Sequence, residues 1–302
     1  MGRVVAWWRR RCQVTGSACM PPRSNPTARQ ERLGAELRKM RERAGMTARE
    51  AAGRLGVSPM QMSHMEVGRI GVSAERLRTL ADHYCCADRV LVDALAAMAT
   101  ERTRGWWEDY RGTLAPMSLD LAAMEWHSRS MRSLQVVHIP GLLQVEPYMR
   151  ALFTYARSTH ASDHLEAVID FRLRRRDVLE RDDPPEFTAI IHEAALLMRV
   201  GDRKAARDQL EHILETSELP GVTVCVVPFS AEGFAGMGYA MTYAAGPVPQ
   251  LDTTQIDHFH GIDFLHAEAQ LEHYRALLRT VESSAMSAEE SRAFIHRIAR
   301  EL

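Results

Sequence analysis

Between residues 33 and 100 the apolar positions recur at helical spacing, and over 47–69 that spacing breaks into two short helices around a tight turn. Leu33, Leu37, Met40 and Ala44 form one stripe, which predicts an amphipathic helix over 33–44 ending near Gly45. Thr47 with Glu50 three residues on is a capping box, and Ala51, Ala52 and Leu55 give the helix it opens an inner face. Gly56 suits the left-handed backbone of a turn. Ser58, Pro59 and Gln61 then form a second capping box with proline in the first turn. Met62 and Met65 face inward with Val57 behind them, so Met60, Gln61, Ser63 and His64 point outward. Ser73 caps a helix whose Leu77, Leu80 and Tyr84 face the core, and a further apolar helix runs over about 88–103.

After Gly105-Trp106-Trp107 the pattern changes character. Adjacent tryptophans point to different sides and are expected to pin two domains together. Helices are predicted over 118–135 (Leu119, Leu121, Met124, Met131, Leu134), 147–157, 163–181, 193–199, 203–217, 263–281 and 288–300. Capping boxes at Asp163–Glu166 and Ser287–Glu290 open two of them. Strands are predicted over 187–191, 222–227, 238–245 and 251–256, with glycine and proline turns between. The expected fold class is therefore mostly α and multidomain: a five-helix N-terminal domain over 29–104, then an α+β domain over 105–302. Residues 1–28 read as a disordered basic tail without periodicity. Met20 looks like a natural start, which makes 1–19 an upstream extension; the alternative is a basic arm touching phosphates or the minor groove.

Charge sharpens this division. The net charge of -1 hides a basic N-terminal third, with 16 Arg/Lys against 7 Asp/Glu in residues 1–84, and an acidic remainder with 22 against 32. A basic domain suits a polyanion, whose counterions are released on binding. The acidic part is expected to face a ligand, another protein or solvent. No run of 18 apolar residues is present, so no membrane-spanning helix is expected. The five cysteines, Cys12, Cys19, Cys85, Cys86 and Cys225, match no disulfide framework or zinc spacing and read as reduced cytoplasmic thiols.

Two helices around a glycine turn, the second with a polar outer face, are the layout of a helix-turn-helix whose second helix enters the DNA major groove. That segment resembles the Xre/Cro-type family. From Met20 onward the chain resembles an actinobacterial branch of it with a characteristic C-terminal regulatory domain. The motifs carrying the resemblance are LGAELRKMRERAGMT, GWW at 105–107, IPGLLQVEPY at 139–148, RLRRRDVLERDDPP at 172–185, HEAAL at 192–196, QLEHIL at 209–214, VTVCVVPFS at 222–230 and MSAEESRAFI at 286–295. The resemblance implies an antitoxin-like transcriptional regulator, encoded beside a very small partner protein and bearing on development and antibiotic production in Streptomyces-like bacteria.

It also implies residue roles. Arg41 and Glu66 match a buried ion pair bracing the fold. Met60, Gln61, Ser63 and His64 match base-contacting positions, Gln61 being suited to adenine and His64 to guanine N7 or phosphate. Ser58 and Pro59 open the same helix. Thr47 and Arg69 match positions near the sugar-phosphate backbone, and Arg43, Arg49 and Arg54 are candidate phosphate contacts or solvated charges. Val67 departs from the asparagine usual before Gly68, His64 from arginine or glutamine, and apolar Met60 can touch only a thymine methyl or be silent.

The expected function is a DNA-binding regulator, in the main a repressor, that dimerises on a palindromic operator in double-stranded DNA and whose C-terminal domain binds the small neighbour-encoded protein. It is expected in the cytoplasm, associated with the nucleoid when DNA-bound, and with no membrane association. The alternative is a metabolite-sensing regulator with a C-terminal pocket lined by Trp126, Phe229, Phe234 and Tyr239. An enzymatic reading would use His192–Glu193, Ser230, Asp257, His258, His260 and His266, but no third metal ligand stands at a recognisable spacing and no nucleophile elbow or Walker motif is present. No catalytic residue, metal or cofactor is therefore expected.

Overall fold

The computed structural model describes residues 23–101, 104–155, 162–232, 234, 240–258 and 261–302, with the side chains of 162 and 163 left aside. The tail over 1–22, with Met20, Cys12 and Cys19, lies outside them, as do Tyr239 and His260. The chain divides into two compact units, 1–102 and 103–302.

Among the described residues the first unit has five helices: α1 Ala28–Arg43, α2 Ala48–Leu55, α3 Pro59–Glu66, α4 Ala74–His83 and α5 Arg89–Thr100. Helix α1 starts five residues earlier than the apolar stripe predicts. Thr27 accepts the Gln30 N–H and Gln30 reaches back to the Thr27 N–H, a capping box in polar sequence that hydrophobic periodicity passes over. Leu37, Met40, Ala51, Ala52, Met62, Met65, Leu77, Leu80, Leu91 and Leu95 fill the core. Ala44, expected on the inner stripe, is exposed.

The second unit is built on one six-stranded sheet in the order β3-β2-β1-β4-β5-β6. Its strands are β1 Ser130–Gln135, β2 Glu186–His192, β3 Val222–Val227, β4 Met241–Ala245, β5 Thr253–His258 and β6 Gly261–Leu265. The first three run parallel and the last three form an antiparallel meander joined to β1. Helices α6 Pro116–His127, α7 Glu146–Tyr155, α8 Ser162–Arg175, α9 Glu193–Leu197, α10 Arg203–Thr216, α11 Glu268–Ser283 and α12 Ala288–Glu301 complete it. The chain is thus mostly helical, a helical unit followed by a sheet flanked by helices.

Period-two alternation sorts the sheet into two cores. Met131, Phe187, Ala189, Ile191, Val222, Val224, Val226 and Ala244 point to one face, where Leu210, Ile213, Ile295 and Ile298 cover them. Leu134, Ile190, Val227, Met241 and Tyr243 point to the other, against Leu271, Leu278 and Val281 of α11. The edge of β3 is closed by the turn into α12. Met286 N–H donates to the Val226 carbonyl, and Val226 N–H donates to the buried Ser291 hydroxyl at 2.9 Å.

Three predicted elements are corrected here. The helix expected over 118–135 ends at His127, and 130–135 is strand β1. The Ser128 hydroxyl turns back to the Met124 carbonyl, and Arg129 N–H joins the Ala245 carbonyl of β4, so the chain leaves the helix into the sheet. Residues 261–265 are strand β6, and the helix expected from 263 starts at Glu268. The helix expected over 163–181 ends at Arg175 in a 3-10 turn over Arg176–Leu179.

Trp106 and Trp107 both pack inside the second unit. Their rings meet edge-on at 5.9 Å and sit with Tyr110, Phe171 and Trp126. Of the aromatic residues expected to line one pocket, the three described ones fall in two places. Trp126 meets Trp107 edge-on and lies under Arg181, whereas Phe229 and Phe234 flank His192. No helix among the described residues is long and apolar enough to cross a membrane.

His212 on α10 is held neutral. Burial and then the Arg176 guanidinium, 2.8 Å from its Nε2, push its pKa down to about 4. The unfolded chain therefore binds that proton first. Stability supported by the neutral ring is expected to fall as pH drops from about 6.5 to about 4, by about 3 kcal/mol in all. Urea unfolding across that range should show a slope that His212→Gln flattens. Ser291→Ala, which leaves Val226 N–H buried and unsatisfied, should cost about 1–3 kcal/mol in the same assay at neutral pH.

Candidate nucleic-acid interface

Helices α2 and α3 owe their ends to local chemistry. Thr47 accepts the Glu50 N–H and donates its hydroxyl to the Glu50 carboxylate at 2.7 Å. Backbone and side-chain hydrogen bonds from Thr47 hold that carboxylate below its ordinary pKa. Gly56 closes α2 at φ 71°. Ser58 accepts the Gln61 N–H, and the Gln61 amide oxygen accepts the Ser58 N–H at 2.9 Å, with Pro59 in the first turn.

Helix α3 is fixed to α1 by three contacts. Met62 and Met65 fill the core beneath it. The Arg41 guanidinium grips Glu66 with both forks, Nε to Oε1 at 2.6 Å and Nη2 to Oε2 at 2.9 Å, and its third nitrogen holds the Met46 carbonyl at 2.7 Å. Both residues are 8% exposed, and the bond to Glu66 raises the Arg41 pKa above that of an ordinary arginine. Gly34 lets the two backbones touch, because a Cβ there would stand 2.6 Å from the Met65 and Glu66 carbonyl oxygens. Gly68, at φ +73° against the Gln30 backbone, seats the turn after α3 in the same way.

The outer face of α3 is thereby presented rigidly. Met60 is 65% exposed, Ser63 is exposed, and Gln61 and His64 are half-buried. Thr47, Arg49, Ser58, Pro59 and Arg69 are all exposed. Arg43 is exposed, and Arg54 reaches the His83 carbonyl at 3.4 Å.

Periodicity overlooked the segment before α1. Arg23 N–H donates to the Arg69 carbonyl at 2.8 Å, and Arg23 Nη1 to the Gly68 carbonyl. Ser24 and Asn25 therefore join Ser63, His64, Val67 and Arg69 around an open cleft of about 550 Å³. The capping signal at Thr27–Gln30 was the available clue that the folded unit begins before Leu33.

Two of the groups considered for catalysis, His192 and Glu193, take part in structural hydrogen bonds. The His192 ring accepts the Ala194 N–H as the cap of α9, burial lowers its pKa, and Glu193 accepts the Phe229 N–H. His258 lies 3.4 Å from Asp263. No group of three potential metal ligands occurs among the described residues.

Comparison with known proteins agrees with this division. Residues 32–95 match a family model described as a helix-turn-helix domain, and residues 119–297 match one described as a domain of unknown function, DUF5753. No curated protein matches the chain, and no solved structure does.

Removing one partner of the Arg41–Glu66 pair leaves a buried charge unpaired. Glu66→Ala is expected to destabilise the first unit by about 3–5 kcal/mol. Thermal unfolding monitored by far-ultraviolet circular dichroism checks this, and an unchanged transition would mean that the pair does not brace the fold.

Proposed function

Because the chain belongs to the DUF5753 family and carries a helix-turn-helix domain ahead of that region, we propose that it is a sequence-specific transcriptional regulator. It binds double-stranded DNA through α3 and acts as a repressor of antitoxin-like character. Two copies occupy a palindromic operator with half-sites about one helical turn apart. The C-terminal unit binds a small protein encoded by a neighbouring gene, which changes the affinity for DNA. The site of action is the cytoplasm and its nucleoid.

One observation carries this reading. The outward face of α3, with Met60, Gln61, Ser63 and His64, is held by buried contacts, and exposed Arg69 lines a cleft with Ser63 and His64. A rigid polar helix face with a charge at its border fits base readout in a major groove with phosphate contacts setting register. Gln61 meets the requirement particularly well. Its amide oxygen is oriented by the Ser58 N–H and retains a second lone pair, and its amide NH₂ is a donor for adenine N7.

Mapping of bound DNA across the genome, with and without the neighbouring gene, tests the assignment. A compact palindrome at few promoters that responds to the neighbour is expected. Sites that ignore the neighbour would shift regulation to a small molecule, and no enriched sites would remove the DNA-binding role. At the operator so found, Gln61→Ala should weaken specific binding by about 1–3 kcal/mol without changing affinity for random DNA. Gln61→Glu keeps an acceptor for the Ser58 N–H but loses the amide donor and adds a negative charge, and should weaken specific binding further with the helix cap intact. Equal weakening on both DNAs by Gln61→Ala would mean that Gln61 does not read a base.

A further inference from the structure

The segment before α1 is held against the turn that follows α3. Pro26 fixes its own φ and keeps Asn25 out of helical backbone, and the Thr27–Gln30 capping box starts α1 just beyond it. At the other end Arg23 is tied down twice. Its N–H donates to the Arg69 carbonyl at 2.8 Å and its Nη1 to the Gly68 carbonyl at 3.3 Å. Ser24 and Asn25 lie between these two anchors with exposed side chains. A short polar segment whose backbone is already fixed has little ordering entropy left to lose on binding.

The cleft of about 550 Å³ beside α3 brings this segment to the DNA-facing surface. It is lined by Ser24 and Asn25, by Ser63 and His64 of α3, by Arg69 from the turn and by Glu31 from the first turn of α1. Ser63 and His64 belong both to this cleft and to the outward face of α3, so a duplex lying along that face also meets the cleft. No hydrogen bond or ion pair to another described residue occupies the side chains of Ser24, Asn25, Ser63 or Arg69. Two hydroxyls, an amide NH₂ and a guanidinium are therefore available together, and these are groups that bind phosphate oxygens. The Glu31 carboxylate opposes a phosphate in the same cleft, and Arg69 offsets it.

We propose that Ser24 and Asn25 form a second DNA contact, donating to one phosphate of the strand that flanks the bases read by α3. The proposal rests on α3 entering the major groove and adds a contact from outside the helix-turn-helix. Neutral donors to a phosphate set the register of α3 on the duplex without reading sequence themselves.

The test uses the full chain, the operator found by genome mapping and a random duplex of the same length, with affinities measured across a salt series. Ser24→Ala and Asn25→Ala should each weaken binding about threefold to tenfold, equally on the two duplexes. Neither removes a charge, so the slope of log affinity against log salt should stay as in the parent, whereas Arg69→Gln should reduce it by about 1. Glu31→Gln should act in the opposite direction and tighten both duplexes. Ethylation of single operator phosphates gives the positional readout. One flanking phosphate in each half-site, whose ethylation blocks the parent, should become indifferent in Asn25→Ala. Thermal unfolding of the alanine variants should match the parent, because both side chains are exposed. The proposal is overturned if both alanine variants bind like the parent, or if they lose affinity on the operator alone. It is equally overturned if the ethylation pattern does not change, if Glu31→Gln tightens neither duplex, or if the Tm of the alanine variants falls with their affinity. Gln61→Ala separates this contact from the assignment it rests on. Specific binding weakened by Gln61→Ala but untouched by Asn25→Ala and Ser24→Ala leaves α3 as the reader and removes the second contact. Failure of the parent to bind either duplex removes both.

Discussion

The first unit depends on one buried contact between α1 and the end of α3. The Arg41–Glu66 pair takes two charges out of water, a cost that only a two-pronged geometry offsets. The pair is reached only because Gly34 lets the helices approach to backbone contact, and Gly68 lets the chain turn away without collision. A hydrophobic pair would hold the helices equally well but would tolerate sliding. Two parallel hydrogen bonds and a third to the Met46 carbonyl specify register, which is what a helix that reads base edges requires.

In the second unit the organising constraint is the alternation of side chains along the strands. Both faces of β1 and β2 are covered, so consecutive residues such as Ile190 and Ile191 enter different cores. A one-residue slip would exchange the two sets completely. At the β3 edge, the Met286 N–H and the Ser291 hydroxyl meet Val226, so α12 covers the inner core and also occupies backbone groups that could recruit another strand.

Arginine, nearly the whole basic complement of the chain, is used in physically different ways. Arg41 and Arg175 are buried forks on carboxylates. Arg174 and Arg181 lie over tryptophan faces at 4.9 and 4.8 Å. Arg176 donates to a neutral histidine. Arg172 donates to the Gln144 amide oxygen and lies over the Phe153 ring. Sequence shows four of them, Arg172, Arg174, Arg175 and Arg176, as one run with a single neutral interruption at Leu173; their environments in the fold give each a different partner.

What the sequence determined by itself is the local chemistry that acts within one helical turn. The capping boxes at Thr47–Glu50, Ser58–Gln61 and Ser287–Glu290, the glycine turn at Gly56 and the inward Met62 and Met65 could all be read directly, because each partner lies within four residues. The pairing of Arg41 with Glu66 entered only through family resemblance, since 25 residues separate them. Strand β1 was read as helix because Met131 and Leu134 also continue a helical stripe from Leu119, Leu121 and Met124. Tertiary structure decided between the two periods by supplying β2 on one side and β4 on the other, and backbone groups of 130–135 gain ladder partners that no local pattern announces. It also decided that Arg175 meets Glu125 across 50 residues and that Arg172 does not share that pairing. The physical reason is the same throughout: a contact within a turn is set by backbone geometry, whereas a contact across a fold is set by which surfaces the whole chain can bury at once.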